Sequence, residues 1–157
     1  MKKVAVLLAP GFEEAEAIVT LDILRRLHID VETLACAESR AVVSYHDIPM
    51  VADSTLSERQ QALFDAAGKF ICPICSAAAR VLGAHGLLKG RRYVCSGDLW
   101  KAVPEGVYVD APVVEDGNLI SGKGLGHVFD FALTLSARLL GDDAPVREQA
   151  EHIYYPW

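Results

Sequence analysis

Residues 70–86 read FICPICSAAARVLGAHG. The run 70–75 is short and apolar, and it passes without a loop into a small-residue stretch, 76–86, that fits a helix closed by Gly86. A buried strand feeding directly into a helix, with Cys75 at the junction, is the unit from which open α/β sheets are built. The same alternation extends in both directions. Residues 2–9, KKVAVLLA, form a continuous apolar run ended by Pro10-Gly11, which predicts a parallel strand buried on both faces at the centre of the sheet. Residues 13–28, EEAEAIVTLDILRRLH, predict a helix with Ala15, Ile18 and Val19 on its apolar face. Its acids lie in the first turn, and Arg25 and Arg26 lie in the last, as the helix dipole favours.

Further along, 31–38 reads as a strand, and the segments flanking His46-Asp47 read as a hairpin. Residues 54–69 predict a polar-headed helix, 91–95 a strand, and 107–121 a hairpin turning at Asp116-Gly117. Residues 127–141 predict an amphipathic helix, and the tail from Pro145 a short helix with an aromatic tip. No linker or repeat interrupts this order. The expectation is one domain over 1–157, α/β in class, with a doubly wound, mostly parallel sheet and helices on both faces.

Composition narrows the function. A chain of 157 residues, 52% apolar and 23% charged, can bury a real core. Its net charge of −6, with no basic stripe, argues against a nucleic-acid partner. The N-terminal apolar run is too short and too soon followed by Glu13-Glu14 for a signal peptide. No stretch approaches the roughly 20 apolar residues that span a bilayer. Four cysteines beside apolar runs, without an export signal, predict reduced thiols and a cytoplasmic setting.

Ligand crevices in open α/β sheets lie at the carboxyl ends of the strands, where this chain carries Pro10-Gly11 with the acids after it, Cys75, and Cys95-Ser96-Gly97. Cys75 is the sharpest candidate, because a sulfur at the start of a helix meets N–H groups that favour the thiolate. Glu13, Glu14 and Glu16 open the first helix at the neighbouring strand end. A carboxyl there could hydrogen-bond the sulfur or carry a proton, although acids in a first turn are also ordinary dipole partners. For Cys36 and Cys95 an inert buried thiol is the preferred reading.

The segments VAVLLAPGFEEAEA, ICSAAARVLGAHGLLKGRR and VYVDAPVVEDGNLISGKGLGHVFDFAL, in this order, resemble three successive signatures of the ThiJ/PfpI superfamily, in its Parkinson-disease protein deglycase-like branch. The resemblance implies a flavodoxin-like fold, with Cys75 as the reactive cysteine and Glu16 as the acid that hydrogen-bonds it. It also implies a homodimer packed through the first helix, and a glyoxalase, a deglycase or an oxidation-sensing chaperone that uses no cofactor and no metal. The implied partner is a small-molecule carbonyl substrate, an α-oxoaldehyde such as methylglyoxal. Cys75 would attack the aldehyde, Glu16 would move a proton between adjacent carbons, and the backbone N–H of Ser76 would help hold the oxyanion.

Departures from the family pattern bear on that chemistry. A strand ending in Pro-Gly-Gly, with part of the helix after it, is absent between MVADSTLSE and RQQALFDAAGK, an apparent internal deletion of about 30 residues. It takes away a second oxyanion donor. A small-small-proline sequence after the cysteine is replaced by Ser76-Ala77-Ala78, and Ser96 stands where many relatives have His or Tyr. His127 is a possible substitute imidazole, with a capping or surface role as the plainer reading.

Three rival readings remain open. Cys72-Pro-Ile-Cys75 is a CxxC motif, with Pro112 as a faint counterpart to a thioredoxin cis-proline. If both cysteines are extended, their Cα atoms lie about 10 Å apart, beyond the ~7 Å a disulfide tolerates. The second is a sensor whose Cys75 is oxidised once to a sulfenic or sulfinic acid that Glu16 stabilises. The third is an inactive shortened homologue. The five histidines show no metal-ligand spacing.

Overall fold

The computed structural model describes residues 3–59 and 69–157. They fall into two compact units, 1–67 and 68–157. In the first, β1 (Lys3–Leu8), β2 (Asp30–Ala35) and the short β5 (Ser54–Thr55) form a parallel sheet in the order β1-β2-β5. Register runs from Lys3 opposite Asp30 to Leu8 opposite Ala35, with Leu34 opposite Ser54. The crossover from β1 to β2 is α1 (Glu14–Arg26).

Two expectations for this unit need correction. First, β1 is not buried on both faces: exposure alternates along it, with Leu8 buried and Leu7 53% exposed. Within this sheet β2, not β1, is the central strand. A continuous apolar run is compatible with one covered face as well as with two, so the sequence pattern overstated the burial. Second, α1 buries Glu16, Ala17, Thr20, Leu21, Ile23 and Leu24, whereas Ile18 is 49% exposed. That buried stripe follows the helical period, but its polar members Glu16 and Thr20 disguise it.

The hairpin around His46-Asp47 forms as expected, β3 (Ala41–Val43) pairing antiparallel with β4 (Pro49–Val51). Beyond it the expected helix 54–69 starts later, because Ser54 and Thr55 are strand. Thr55 and Glu58 make a capping box: the Thr55 N–H donates to Glu58 Oε2 at 2.8 Å, and the Glu58 N–H donates to Thr55 Oγ1 at 3.3 Å. Residues 56–59 are helical, and the rest of the expected helix, 60–68, lies outside the described residues.

In the second unit the apolar run 70–75 is less regular than expected. It touches β9 (Leu119–Gly122) only through parallel bridges at Ile71–Leu119 and Ile74–Gly122. Phe70 and Ile71 are 38% and 42% exposed. Pro73 has no N–H to give, which interrupts a regular ladder. Strand 91–95 shortens to β6 (Arg92–Tyr93), which pairs parallel with β7 (Val107–Tyr108). The stretch 107–121 is therefore not one hairpin. Only β8 (Val113–Asp116) pairs antiparallel with β9, turning at Gly117 with φ +58°. The helix expected over 76–86 is a π-helical turn, Ala78–Leu82, followed by a 3-10 turn, Gly83–His85, and ends at Gly86 with φ +68°.

Packing in this unit centres on Ala78, Ala79, Leu88, Tyr93, Cys95, Val103 and Leu119. The amphipathic α2 (Val128–Leu140) buries Phe131, Leu133 and Leu135 and stops at Gly141, φ +73°. α3 (Ala144–His152) carries the tail, where Tyr155 stacks on Phe129 with ring centres 5.0 Å apart. Among the described residues no helix is long and apolar enough to cross a membrane.

Candidate active site

Cys75 has φ +60°, the left-handed region that a side chain with a Cβ enters at a cost of about 1–2 kcal/mol. The backbone around it compensates. Its N–H donates to the Gly122 carbonyl at 2.9 Å, and its own carbonyl accepts the Ser96 N–H at 3.2 Å. Two residues back, the Gly122 N–H donates to the Pro73 carbonyl at 3.0 Å. The chain is thus bolted to β9 on one side and to the end of the β6 segment on the other, and it must turn sharply between them. A strained residue at a strand-to-helix turn presents its side chain at the sheet's carboxyl end, the geometry of a nucleophile elbow.

Ser76 follows directly and is half-buried; its carbonyl accepts the Arg80 N–H at 2.8 Å as the helical turns begin. Cys75 and Ser76 both lie in the second unit. Glu16 lies in the first, on the buried side of α1 at 7% exposure, with its N–H donated to Glu13 Oε2 at 2.6 Å. Glu13 therefore serves as the helix N-cap.

The other three cysteines are chemically quiet. Burial pushes the Cys72 thiol up to about 12. Burial also raises Cys95, and the charge of Cys75 adds to that shift while an N–H from Trp100 works against it. Burial raises Cys36 as well. All three stay protonated at neutral pH, so Cys72 cannot supply the thiolate that CxxC exchange needs. The extended geometry on which the distance objection to that motif rested does not hold, since Cys75 is turned, so the raised Cys72 thiol carries the argument against it.

Ser96, where an imidazole was sought, contributes its backbone N–H to the elbow. His127 stands at the N-cap position of α2 but makes no side-chain capping bond; its Nδ1 pairs with Asp130 Oδ2 at 3.3 Å instead. Among the described residues Glu13, Glu14 and His46 bring three potential ligand atoms within 4.8 Å of one another, a grouping that spacing in sequence did not reveal. Those atoms are already engaged. His46 Nδ1 meets Glu14 Oε1 at 2.5 Å, Glu13 caps the helix, and the positive end of the α1 dipole disfavours a cation there. Burial pushes the Glu14 carboxyl up, but hydrogen bonds from its own backbone N–H, Ser44 and His46 outweigh this and hold it down at about 2.

Reasoning from sequence missed Gly122 and Ser121. Ser121 is fully buried; its hydroxyl accepts the Val94 N–H at 3.0 Å and donates to the Val114 carbonyl at 3.2 Å. The only trace in sequence is the glycine spacing of SGKGLG, which by itself reads as a loop.

Comparison with known proteins shows the family and the fold. The sequence model of the DJ-1/PfpI family matches residues 2–67 and 63–138. The crystal structure of a cysteine-to-alanine mutant of a DJ-1 superfamily protein from Salmonella typhimurium is 83% identical, with TM-score 0.96 over 100% of both chains. Protein dj-1beta of Drosophila melanogaster is 30% identical, over 90% of this chain and 91% of its own. That alignment is 172 positions long yet takes in 90% of a 157-residue chain, so about thirty positions of the fly protein have no counterpart here. Protein DJ-1 homolog B of Arabidopsis thaliana is 28% identical over 99% of this chain, which spans 42% of that longer protein. The shared fold is flavodoxin-like α/β.

Proposed function

Because the chain belongs to the DJ-1/PfpI family, we propose that it is a cysteine-dependent enzyme of the glyoxalase or deglycase type, acting without metal or organic cofactor on small α-oxoaldehydes such as methylglyoxal or on their adducts. The observation that carries this reading is the left-handed turn at Cys75, fixed by hydrogen bonds to Gly122 and Ser96. Strain held in place by surrounding structure is characteristic of reactive residues. The 157-residue chain is taken to act as one domain, in the cytoplasm, as a homodimer packed through α1.

In the proposed reaction the Cys75 thiolate adds to the aldehyde carbon of methylglyoxal, and the new C–S bond gives a hemithioacetal. The Ser76 N–H steadies the oxyanion formed in that addition. Glu16 takes the proton from the hemithioacetal carbon and returns it to the neighbouring carbon, giving a lactoyl thioester. Water then cleaves the C–S bond, releasing lactate and the thiol. No redox partner is needed, because one carbon is oxidised as its neighbour is reduced.

The test is lactate formation from methylglyoxal. Cys75→Ala is expected to abolish it, and Glu16→Gln to reduce it about 10²-fold or more. Undiminished lactate in either variant sinks the mechanism. The second reading is a shortened homologue without turnover, and it is favoured by the family match in two stretches, 2–67 and 63–138. No lactate from the unaltered chain, with Cys75 consumed once by peroxide, would favour an oxidation sensor; no reaction with either would favour the shortened homologue.

A further inference from the structure

We infer that the Phe131 ring, packed against Gly122, is a positioning element for Cys75; this rests on the reading of Cys75 as the reactive thiol. Gly122 holds the elbow at two points, its carbonyl taking the Cys75 N–H at 2.9 Å and its N–H reaching the Pro73 carbonyl at 3.0 Å. Those bonds fix the backbone on both sides of Ile74, which bridges Gly122 directly. Where Gly122 sits therefore decides where the chain begins its left-handed turn.

Glycine is required at 122 by space rather than by backbone conformation, since this residue is not among the glycines with positive φ. A Cβ built there would lie 2.8 Å from Phe131 Cδ2, 2.9 Å from Cγ and 3.1 Å from Cβ. Phe131 is 2% exposed and sits in the first half of α2, so its ring has no solvent to swing into. The closest contacts include Cγ and Cβ, atoms at the root of the side chain that ring rotation does not move. An added methyl must push β9 away from α2 or force the ring out of its packing. Either displacement carries the Gly122 carbonyl with it, and the tether on Cys75 shifts.

Nothing in this argument uses Phe131 as a contact for substrate, so its effect should appear in the reactivity of the thiol itself. The experiment is iodoacetamide labelling across pH, read by peptide mass spectrometry, on the unaltered chain, Gly122→Ala, Phe131→Ala and the double variant, with Tm recorded for each. Gly122→Ala is expected to slow Cys75 labelling at neutral pH about tenfold. Its profile should move toward that of an ordinary thiol near ~8.5. Phe131→Ala in the same chain removes the two nearest atoms and should restore part of the rate, whereas Phe131→Ala alone, which leaves Gly122 without its backing, should slow Cys75 several-fold. General loosening would instead speed the half-buried Cys72 and the buried Cys95, so their rates separate loss of positioning from loss of stability.

A folded Gly122→Ala chain with an unaltered Cys75 profile overturns the inference, and so does a double variant no faster than Gly122→Ala. Should Gly122→Ala fail to fold, Phe131→Leu decides: without the ring Gly122 loses its backing, a several-fold slowing of Cys75 is expected, and an unchanged rate overturns the inference. If Cys75 of the unaltered chain labels no faster than Cys36, the reading of Cys75 as the reactive thiol falls, and the inference with it. Fast labelling of the unaltered chain together with an unaffected Gly122→Ala profile leaves that reading standing and removes only the positioning role.

Discussion

The backbone N–H of Cys75 is tied to the carbonyl of Gly122 at 2.9 Å while Cys75 itself sits at φ +60°. Cross-strand bonding thus holds a side chain in a conformation that its own Cβ opposes. Cys75→Gly should relieve that opposition, partly offset by the greater freedom of glycine in the unfolded chain. Stability is expected to stay level or rise by about 0.5–1 kcal/mol, read from urea denaturation, while lactate formation disappears. A clear loss of stability would mean the turn is not strained.

Thiol chemistry should be confined to Cys75. Burial holds Cys36, Cys72 and Cys95 in the protonated form, Cys72 up to about 12. Brief alkylation at pH 7 should modify Cys75 first, and the other three should follow only in denaturant. Equal labelling of Cys72 and Cys75 in folded protein would revive the CxxC alternative.

Acid should loosen the hairpin–helix contact at Glu14 and His46. The Glu14 carboxyl is held at about 2, below the ordinary 4.5, so it binds its proton more readily when unfolded. Its contribution is therefore complete above about pH 4.5 and is lost as pH falls toward 2. Glu14→Gln should flatten this part of the stability–pH curve, followed by circular dichroism. An identical acid limb in both proteins would show that the carboxylate contributes nothing there.

Ser121→Ala should destabilise by about 1–3 kcal/mol, because it strands the buried Val94 N–H that the hydroxyl now satisfies. Thermal unfolding measures it. Since this hydroxyl braces β6 and β8 around β9, hydrogen exchange at Val94 should quicken in the variant.

Local pattern was enough for several features, and for a common reason. Residues 14–26 carry acids first and arginines last, Asp116-Gly117 needs a tight turn, and 70–75 leads straight into small residues; each signal is complete within a few neighbouring positions. Cys75 could be singled out in the same way, since its place at a strand–helix junction is a property of contiguous sequence. Which face of α1 is buried, and that Ser54 and Thr55 are strand rather than helix, depended on partners such as Leu34 and Glu58.

What the sequence alone determined is the alternation of strands and helices, the membership of a family, and the cysteine at the turn. Tertiary structure decided the rest. It split 107–121 into β7, which pairs with β6, and a separate β8–β9 hairpin, gave His127 to Asp130, and made Gly122 the residue on which Cys75 hangs. The physical reason is that hydrogen-bond satisfaction and steric exclusion act between residues far apart in the chain. A glycine required because Phe131 fills its space looks, in sequence, like any other glycine in a loop.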